Sequence, residues 1–402
     1  MDKVTSKVRA FYETYPYPPG GAVDTDGYHA RLLLSYIERP ENATGKLQVL
    51  EAGSGRALNL LAAARLQPDV AFTGIDINRV AIREAQQKAV ALGLENLQFA
   101  EGDLLNPASI PTVPGGYDLI LSYGVIHHLS DPQAGLAHLR GRLAAHGAVG
   151  MMVDGSYGRQ PLDRFRDALA FLERDDESVS SRDTARALSK IAEQTLFKGN
   201  YWQGTSSSDD VEFADRCLHV HENSYDIESI NRLLADSGLR FIRWLEPADW
   251  SVTQFGEESL LQSLLSKLDA HQRYRLVERL FYRPKLIFMA AAMENSIRCP
   301  LRPESWEQVR FRINPQVRFF EREERLCRYQ LRNREPVEIH SLCATQILSL
   351  RDLSQSDMTA TQITDDLSRQ GQNRESVYQS LLDLETAELI YRPNTLPGGE
   401  AG

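Results

Sequence analysis

The sequence predicts an α/β protein with a doubly wound parallel sheet, interrupted by a helical insertion and followed by a small α+β domain. From Lys46 to Asp154, short runs that are apolar on both faces alternate with helical patterns. Such runs are typical of parallel strands covered by helices. After Asp154 this pattern breaks, and it resumes at Tyr225. From about Asn295 the composition changes again, to alternating segments rich in arginine.

Composition excludes several classes of protein. The chain has 402 residues, of which 42% are hydrophobic and 25% charged, as in a globular protein of two or three domains. Its first residues lack the apolar region of a secretory signal, and no apolar run is long enough for a membrane helix. Four cysteines without a CxxC pair favour a reducing, cytoplasmic location. The net charge of −10 argues against general nucleic-acid binding.

The predicted elements follow in order. Strands are expected at 46–52, 71–77, 97–103, 117–124 and 148–154, with helices at 57–66, 78–94 and near 131–144. Residues 154–224 form the insertion and begin with two amphipathic helices. A helix, a strand, a long helix near 257–281 and a strand at 284–293 then complete the first domain. We therefore predict an N-terminal segment at 1–45, an α/β domain at 46–293 and a second domain at 294–402.

A glycine-rich turn follows the first predicted strand, where such sheets bind nucleotides. It reads Glu-Ala-Gly-Ser-Gly-Arg-Ala from Glu51, and Leu58 occupies the third glycine position of a dinucleotide fingerprint. Glu51, at the strand end, suits an ammonium group. Asp76 ends the second strand and can accept from two ribose hydroxyls, whereas Asp103 ends the third and can accept from an exocyclic amine. These acids fit a cationic nucleoside better than a pyrophosphate.

The motifs "VLEAGSGRALNLL", "GIDI", "AEGDLL" and "YDLILSYGVIHHLSDP" resemble the class I S-adenosylmethionine-dependent methyltransferases. The resemblance implies a Rossmann-like sheet with S-adenosyl-L-methionine as the cofactor. The two glycines of the turn would hold the methionine part, Asp76 the ribose, and Asp103 with Leu104 the adenine. Ala57 replaces a third glycine of many relatives, which we expect to affect helix packing only. The candidate cofactor-binding residues are Tyr17, Glu51, Gly53, Ser54, Gly55, Asp76, Ile77, Gly102, Asp103, Leu104, Ser122, Tyr123 and Gly124.

Residues 11–20, "FYETYPYPPG", combine tyrosines and prolines before the first strand. This stretch, "SYGRQPLDRFRDAL" and "DRCLHVHENSYDIESINRLLADSGLRF" are similar to a bacterial methyltransferase subgroup, some of whose members carry tetratricopeptide repeats. The N-terminal segment either packs on the body or forms a lid over the cofactor. Prolines would stiffen a lid, and tyrosine rings suit a sulfonium cation.

Candidates for chemistry on the methyl acceptor follow the fourth and fifth strands. His127 and His128 either act on the acceptor or have a structural role, and Asp154 and Tyr157 could line its pocket. In "CLHVHENSY", Cys217, His219 and His221 would share one face if the segment were extended. They could bind a metal, but a fourth ligand is missing and the resemblance carries no metal, so we predict none. Alternatively, a lid contributes His221, Glu222 or Tyr225, or the segment only packs.

The last hundred residues resemble the PqqD-like winged-helix domains, which capture leader peptides for enzymes that modify ribosomally made peptides. In that family the peptide adds a strand to a sheet edge, which would lie here near 309–320. Ten arginines between Arg298 and Arg334 would attract an acidic leader. The alternatives are dimerisation or bracing, and DNA binding, which the acidic helix from Arg374 disfavours.

The sequence therefore predicts a cytoplasmic N- or O-methyltransferase of a leader-bearing peptide, with His127, His128, His221 and Tyr157 as candidate catalytic residues. One alternative is a methyltransferase of a small metabolite whose last domain braces the fold or forms a homodimer. Another is a non-catalytic regulator that senses the cofactor. Neither a membrane nor a nucleic acid is an expected partner.

Overall fold

The computed structural model describes the chain except for residues 22, 24–26, 39–44, 174–180, 257, 296, 299–301, 304–305, 316, 321–324, 330–335, 339–342 and 394–402. Two compact units are present. The first unit comprises residues 1–28, 46–245 and 250–294. The second unit comprises residues 29–45, 246–249 and 295–402.

The first unit is built on a seven-stranded sheet of order β3-β2-β1-β4-β5-β7-β6. All its strands are parallel except β7, which runs antiparallel to both neighbours. The predicted α/β fold is thus confirmed, with one reversed strand. The strands are β1 (Gln48–Ala52), β2 (Ala71–Asp76), β3 (Leu97–Glu101), β4 (Tyr117–Tyr123), β5 (Leu143–Asp154), β6 (Leu239–Trp244) and β7 (Lys285–Ala292).

Several helices begin where the sequence supplies a capping side chain. Asn78 caps α4 by accepting from the amides of Val80 and Ala81, and Asp269 forms a capping box with Gln272 at α11. The helices are α1 (Lys3–Thr14), α2 (Ala30–Leu34, in the second unit), α3 (Leu58–Leu66), α4 (Arg79–Ala91), α5 (Pro132–Arg140), α6 (Ser156–Glu173), α7 (Ser181–Ala192), α8 (Asp210–Cys217), α9 (Ile227–Asp236), α10 (Ser259–Leu265) and α11 (Ala270–Leu280).

The insertion has a hydrophobic core of its own, which includes Leu162, Phe165, Phe197 and Phe213. It leaves and rejoins the sheet at neighbouring points, because Tyr225 pairs with Gly155 next to the end of β5. The Tyr225 amide donates to the Asp154 carbonyl at 2.8 Å. The segment that precedes Tyr225 is therefore held at the carboxyl edge of the sheet.

The second unit contains two small antiparallel sheets, of order β12-β8-β13 and β11-β10-β9. The predicted edge at 309–320 spans both β8 and β9. Strand β8 is paired on both sides and offers no free edge, whereas β9 pairs only with β10 among the described strands. Besides α2, the elements of the second unit are β8 (Arg310–Ile313), β9 (Val317–Phe320), β10 (Arg325–Tyr329), β11 (Pro336–Glu338), α12 (Ala344–Gln355), β12 (Met358–Thr359), α13 (Ala360–Arg369), α14 (Arg374–Thr386) and β13 (Ile390–Tyr391).

Residues far apart in sequence meet within the second unit. The Tyr36 hydroxyl donates to Glu388 at 3.0 Å, and Ile37 bridges to Ile297. A core around Trp306 and Phe311 joins strands to helices α12–α14. A fragment cut at residue 295 would therefore lack part of this unit.

Candidate functional site

The glycine-rich turn after β1 is folded tightly against three other segments. Gly53 has a φ of +83°, and a Cβ there would lie 2.2 Å from Val125, just beyond β4. Gly55 has a φ of +50°, and a Cβ there would lie 2.5 Å from the Tyr17 carbonyl oxygen. The Gly55 amide donates to Asp76 Oδ2 at 2.7 Å. Both positions require glycine because of their close contacts and left-handed backbone.

Ala57 departs from our expectation. It has a φ of +55° at the N-cap of α3, in the left-handed region that disfavours residues with a Cβ by roughly 1–2 kcal/mol. The replacement of glycine therefore strains the backbone as well as changing helix packing.

Two carboxyl groups lie together at the ends of β1 and β2. Burial and the neighbouring Asp76 charge raise the pKa of Glu51 to about 8. Burial also raises the pKa of Asp76, although the amides of Asn78 and Gly55 donate to it and oppose this shift. Two buried acids that repel each other favour a cationic ligand.

Buried hydroxyl oxygens lie at this edge of the sheet. Ser54 Oγ and Ser122 Oγ are buried, and neither has a hydrogen-bond partner among the residues that the structure describes. The buried Glu51 carboxyl group lies beside the Tyr28 hydroxyl, which hydrogen-bonds to it. Buried polar atoms are normally paired. A ligand with an ammonium group and hydroxyls could supply the missing partners.

The other predicted cofactor residues lie at the ends of neighbouring strands. Asp103 Oδ1 accepts from the Leu105 amide at 2.9 Å, and Leu104 is buried in the hydrophobic core. Burial raises the pKa of Tyr123. The remaining members follow the strand ends in the order Ile77 after β2, Gly102 after β3 and Gly124 after β4.

The N-terminal arm, residues 1–21, lies across the same edge. The Asn78 side chain donates to the Tyr12 carbonyl at 2.6 Å, while the Tyr12 hydroxyl donates to Asp215 at 3.1 Å. Tyr17 contacts the turn through its carbonyl oxygen, which accepts from the Arg56 amide at 3.1 Å. Burial raises the pKa of Tyr17, with Asp215 adding to the effect. The arm thus links the glycine turn to the insertion.

The two predicted histidines after β4 are buried side by side, with ring centroids 4.1 Å apart. Burial and the Arg159 charge lower the pKa of His127 to about 3, and burial with His127 lowers that of His128 to about 3. Both rings are neutral at pH 7 and weak proton acceptors. His127 Nε2 lies 3.4 Å from Asp154 Oδ2, and His128 Nδ1 donates to the His221 carbonyl at 3.1 Å.

A buried ion-pair network that the sequence analysis missed surrounds these rings. Arg159 is 5% exposed and contacts Asp154 at 2.5 Å as well as Glu222. Arg166 also pairs with Glu222 and donates to the Arg216 carbonyl. These ion pairs join Asp154 at the end of β5, Arg159 and Arg166 on α6, and Glu222 in the segment that precedes Tyr225.

The predicted extended face of Cys217, His219 and His221 does not form, because Cys217 is the last residue of α8. Instead, ligand atoms of His128, His219 and Glu222 lie within 4.8 Å of one another. Both arginines already neutralise Glu222, and His219 Nδ1 accepts from the His221 amide at 3.2 Å. These contacts favour a hydrogen-bonded cluster over a metal site.

His221 Nε2 donates to the Leu129 carbonyl at 3.2 Å, beside the histidine pair. Tyr157 lies elsewhere: the Arg279 guanidinium sits 5.1 Å from its ring centroid. Residues 157 and 159 face opposite sides of α6 because the helix turns about 100° per residue. The structure therefore does not bring Tyr157 to the network that Arg159 joins.

Asp215 is a further residue that the sequence analysis missed. Burial and the charges of Glu222 and Glu212 raise its pKa to about 7. Its carboxyl group accepts from Tyr12, whose ring lies 5.4 Å from His219 and 6.1 Å from His128 between centroids. A carboxyl group with such a pKa can exchange protons at neutral pH.

The glycine turn, the strand-end acids and the unpartnered hydroxyl oxygens lie together at the carboxyl edge of the α/β sheet. Residues 50–149 match the model of a family described as a methyltransferase domain. These residues therefore form a methyltransferase domain, and the chain is a methyltransferase. No helix among the described residues is long and apolar enough to cross a membrane.

Three relatives illustrate the similarity. An uncharacterised protein from Synechococcus is 29% identical over 293 residues, which are 69% of each chain. Ajmaline N-methyltransferase from Rauvolfia serpentina is 32% identical over 141 residues, covering 33% of this chain and 47% of that one. The structure of PKMT2 from Rickettsia typhi in complex with AdoHcy has a TM-score of 0.65 at 16% identity, over 95% of this chain and 78% of that chain. This last match shows a shared fold.

Proposed function

We propose that the enzyme transfers a methyl group to nitrogen or oxygen of a ribosomally made peptide, whose leader binds the second unit. The edge strand β9 supports this most directly, since its outer side is available for an added strand among the described elements. The PqqD-like sequence pattern also supports it, as does the presence of three helices and a closing strand after β11 in the second unit. The arginine-rich sequence around β8 and β9 would attract an acidic leader.

On the cofactor side, we assign roles by position. Gly53, Gly55 and Ser54 hold the methionine part, with Glu51 against its ammonium group. Asp76 binds the ribose, while Asp103 with Leu104 and Gly102 surrounds the adenine. S-adenosylmethionine supplies an electrophilic methyl group on sulfur, and Ser122, Tyr123 and Gly124 line that side.

The pKa of Glu51 gives a pH-dependent prediction. In the free protein this pKa is about 8, and a cationic ammonium group favours the ionised carboxylate. S-adenosylhomocysteine should therefore bind with proton release at pH 7. Its affinity should rise with pH, by up to about tenfold per unit, and level off above pH 8.

Calorimetry in buffers of different ionisation enthalpy measures this proton release. Glu51→Gln should bind more weakly and lose the pH dependence. An affinity that stays flat between pH 6 and 8 in the unmodified enzyme would contradict the role of Glu51.

On the acceptor side, His127 and His128 are neutral and do not act as bases. His221 lies beside them, with its Nε2 hydrogen-bonded to the Leu129 carbonyl. Asp215 is the residue best suited to accept a proton. The bound cofactor would supply the methyl group to the acceptor atom, and the residues on this side would orient the acceptor toward it. The proton lost from the acceptor goes to the Asp215 carboxylate and then to solvent. Orientation and exclusion of water supply much of the rate.

Hydrogen exchange on the full chain tests leader binding. Peptides encoded beside the gene should slow exchange of the β9 amides, because strand addition gives them new hydrogen bonds. The amides of β8, already paired on both sides, serve as the control. Peptide binding without protection of β9 would refute strand addition, and the absence of any binding would refute the peptide proposal.

A small-molecule acceptor is the second candidate. The similarity to ajmaline N-methyltransferase favours it, because that enzyme's name specifies a small acceptor. In this case, peptides would leave β9 unprotected while a purified metabolite is methylated. The last domain would then brace the fold or form a dimer.

A further inference from the structure

A single side chain joins the N-terminal arm to the glycine turn. Arg56 Nη1 donates to the carbonyl oxygens of Pro16 at 2.8 Å and Pro18 at 3.0 Å. The Arg56 amide donates to the carbonyl of Tyr17, which lies between them in sequence. Three successive carbonyls of the arm are therefore held by one residue of the turn.

Arg56 is itself held in place from the other side. Its Nε lies 2.7 Å from a carboxylate oxygen of Glu84 on α4, and its side chain is 14% exposed. A partly buried, charge-assisted contact of this kind fixes the guanidinium group. Arg56 therefore connects a rigid helix to the arm.

The arm depends on this contact because of its composition. Pro16, Pro18 and Pro19 have no amide N–H, so this stretch cannot form a regular strand ladder. Its carbonyl oxygens still need donors, and Arg56 supplies them. The Tyr17 carbonyl also occupies the space beside Gly55, so the arm rests directly on the turn.

We propose that Arg56 is a positioning residue that holds the arm over the cofactor site. Cofactor release then requires the Pro16 and Pro18 carbonyls to leave the guanidinium. This inference rests on the proposed binding of the cofactor at the turn. It adds the residue that couples the arm to that site.

Arg79 provides a matched control. It also contacts the arm, through Glu13 at 3.8 Å, but its side chain is 52% exposed. Exposed ion pairs contribute little. Loss of Arg79 should therefore leave the arm in place.

The experiment compares Arg56→Met, Arg56→Lys and Arg79→Met in the full chain. Calorimetry measures S-adenosylhomocysteine affinity, and limited trypsin digestion with mass spectrometry measures cleavage after Lys7 and Arg9, both in α1. Arg56→Met should weaken S-adenosylhomocysteine binding by roughly tenfold and speed tryptic cleavage of the arm. In this variant, S-adenosylhomocysteine should no longer slow that cleavage. Arg56→Lys should be intermediate because an ammonium group lacks the planar fork. Arg79→Met should match the unmodified enzyme.

The outcomes separate the two proposals. If the unmodified enzyme does not bind S-adenosylhomocysteine, the cofactor assignment itself fails. If it binds, and Arg56→Met weakens binding while the arm stays protected, Arg56 acts on the turn alone and the coupling is refuted. Unchanged affinity in Arg56→Met also refutes it. A thermal midpoint close to that of the unmodified enzyme shows that the variant is folded.

Discussion

Replacing Asp76 with asparagine is expected to weaken S-adenosylhomocysteine binding by roughly 100-fold, because two charge-assisted hydrogen bonds to ribose are lost. The carboxylate also organises the site, since it accepts from the amides of Gly55 at 2.7 Å and Asn78 at 2.8 Å. An asparagine has one acceptor oxygen and cannot replace both contacts. Calorimetry at pH 8 measures the effect.

Glu101→Gln is the control for this prediction. Glu101 pairs with Asp76 in the β2–β3 register and is a carboxylate at the same edge, but its contact is an exposed ion pair with Arg9. We expect its replacement to leave the affinity within about twofold, given the small value of such pairs. Equal losses in the two variants would indicate a general charge effect rather than a ribose contact.

Replacing Arg159 with methionine is expected to destabilise the first unit by about 3–5 kcal/mol, because Asp154 and Glu222 would keep buried charge without this partner. This corresponds to a fall in the thermal midpoint of roughly 6–20 °C. The pKa of His127 should rise, since the Arg159 charge helps to lower it. Differential scanning calorimetry and NMR titration of the histidine rings measure the two effects.

Arg164→Met is the matched control, because it makes the same change on an exposed position of the same helix. Its effect on stability should stay within about 0.5 kcal/mol. If Arg159→Met is as stable as this control, the network does not hold the segment that includes Glu222.

The sequence predicts well those features that depend on order along the chain. Strands appear in the sequence as short apolar runs, and an acid or a glycine marks the end of each run. The sequence alone therefore places Glu51, Gly53 and Asp76 at one edge of the sheet. Parallel pairing brings the carboxyl ends of these strands together. The sequence pattern also indicated the helical insertion and the helices of the last domain.

Contacts between distant residues could not be predicted in this way. Arg159 and Glu222 are separated by 63 positions, and Tyr12 and Asp215 by 203. Charged residues on an amphipathic helix are usually solvated, so Arg159 gave no signal of burial. Tyr157 was misplaced because the phase of α6 could not be known. The shared face of Cys217, His219 and His221 was expected only for an extended segment, and the sequence did not indicate that α8 ends at Cys217.

The Gly155–Tyr225 bridge brings the two ends of the insertion together, which bears on how acceptor specificity can evolve. Because the insertion begins and ends at adjacent points and has its own core, it forms a module of the first unit. Asp215 and His221 join this module to the arm and to the segment after β4. Exchange of residues 156–224 for those of a related enzyme should leave the glycine turn and the strand-end acids intact while replacing Asp215 and His221 on the acceptor side. New specificities could then arise by replacement of one module, without redesign of the catalytic framework.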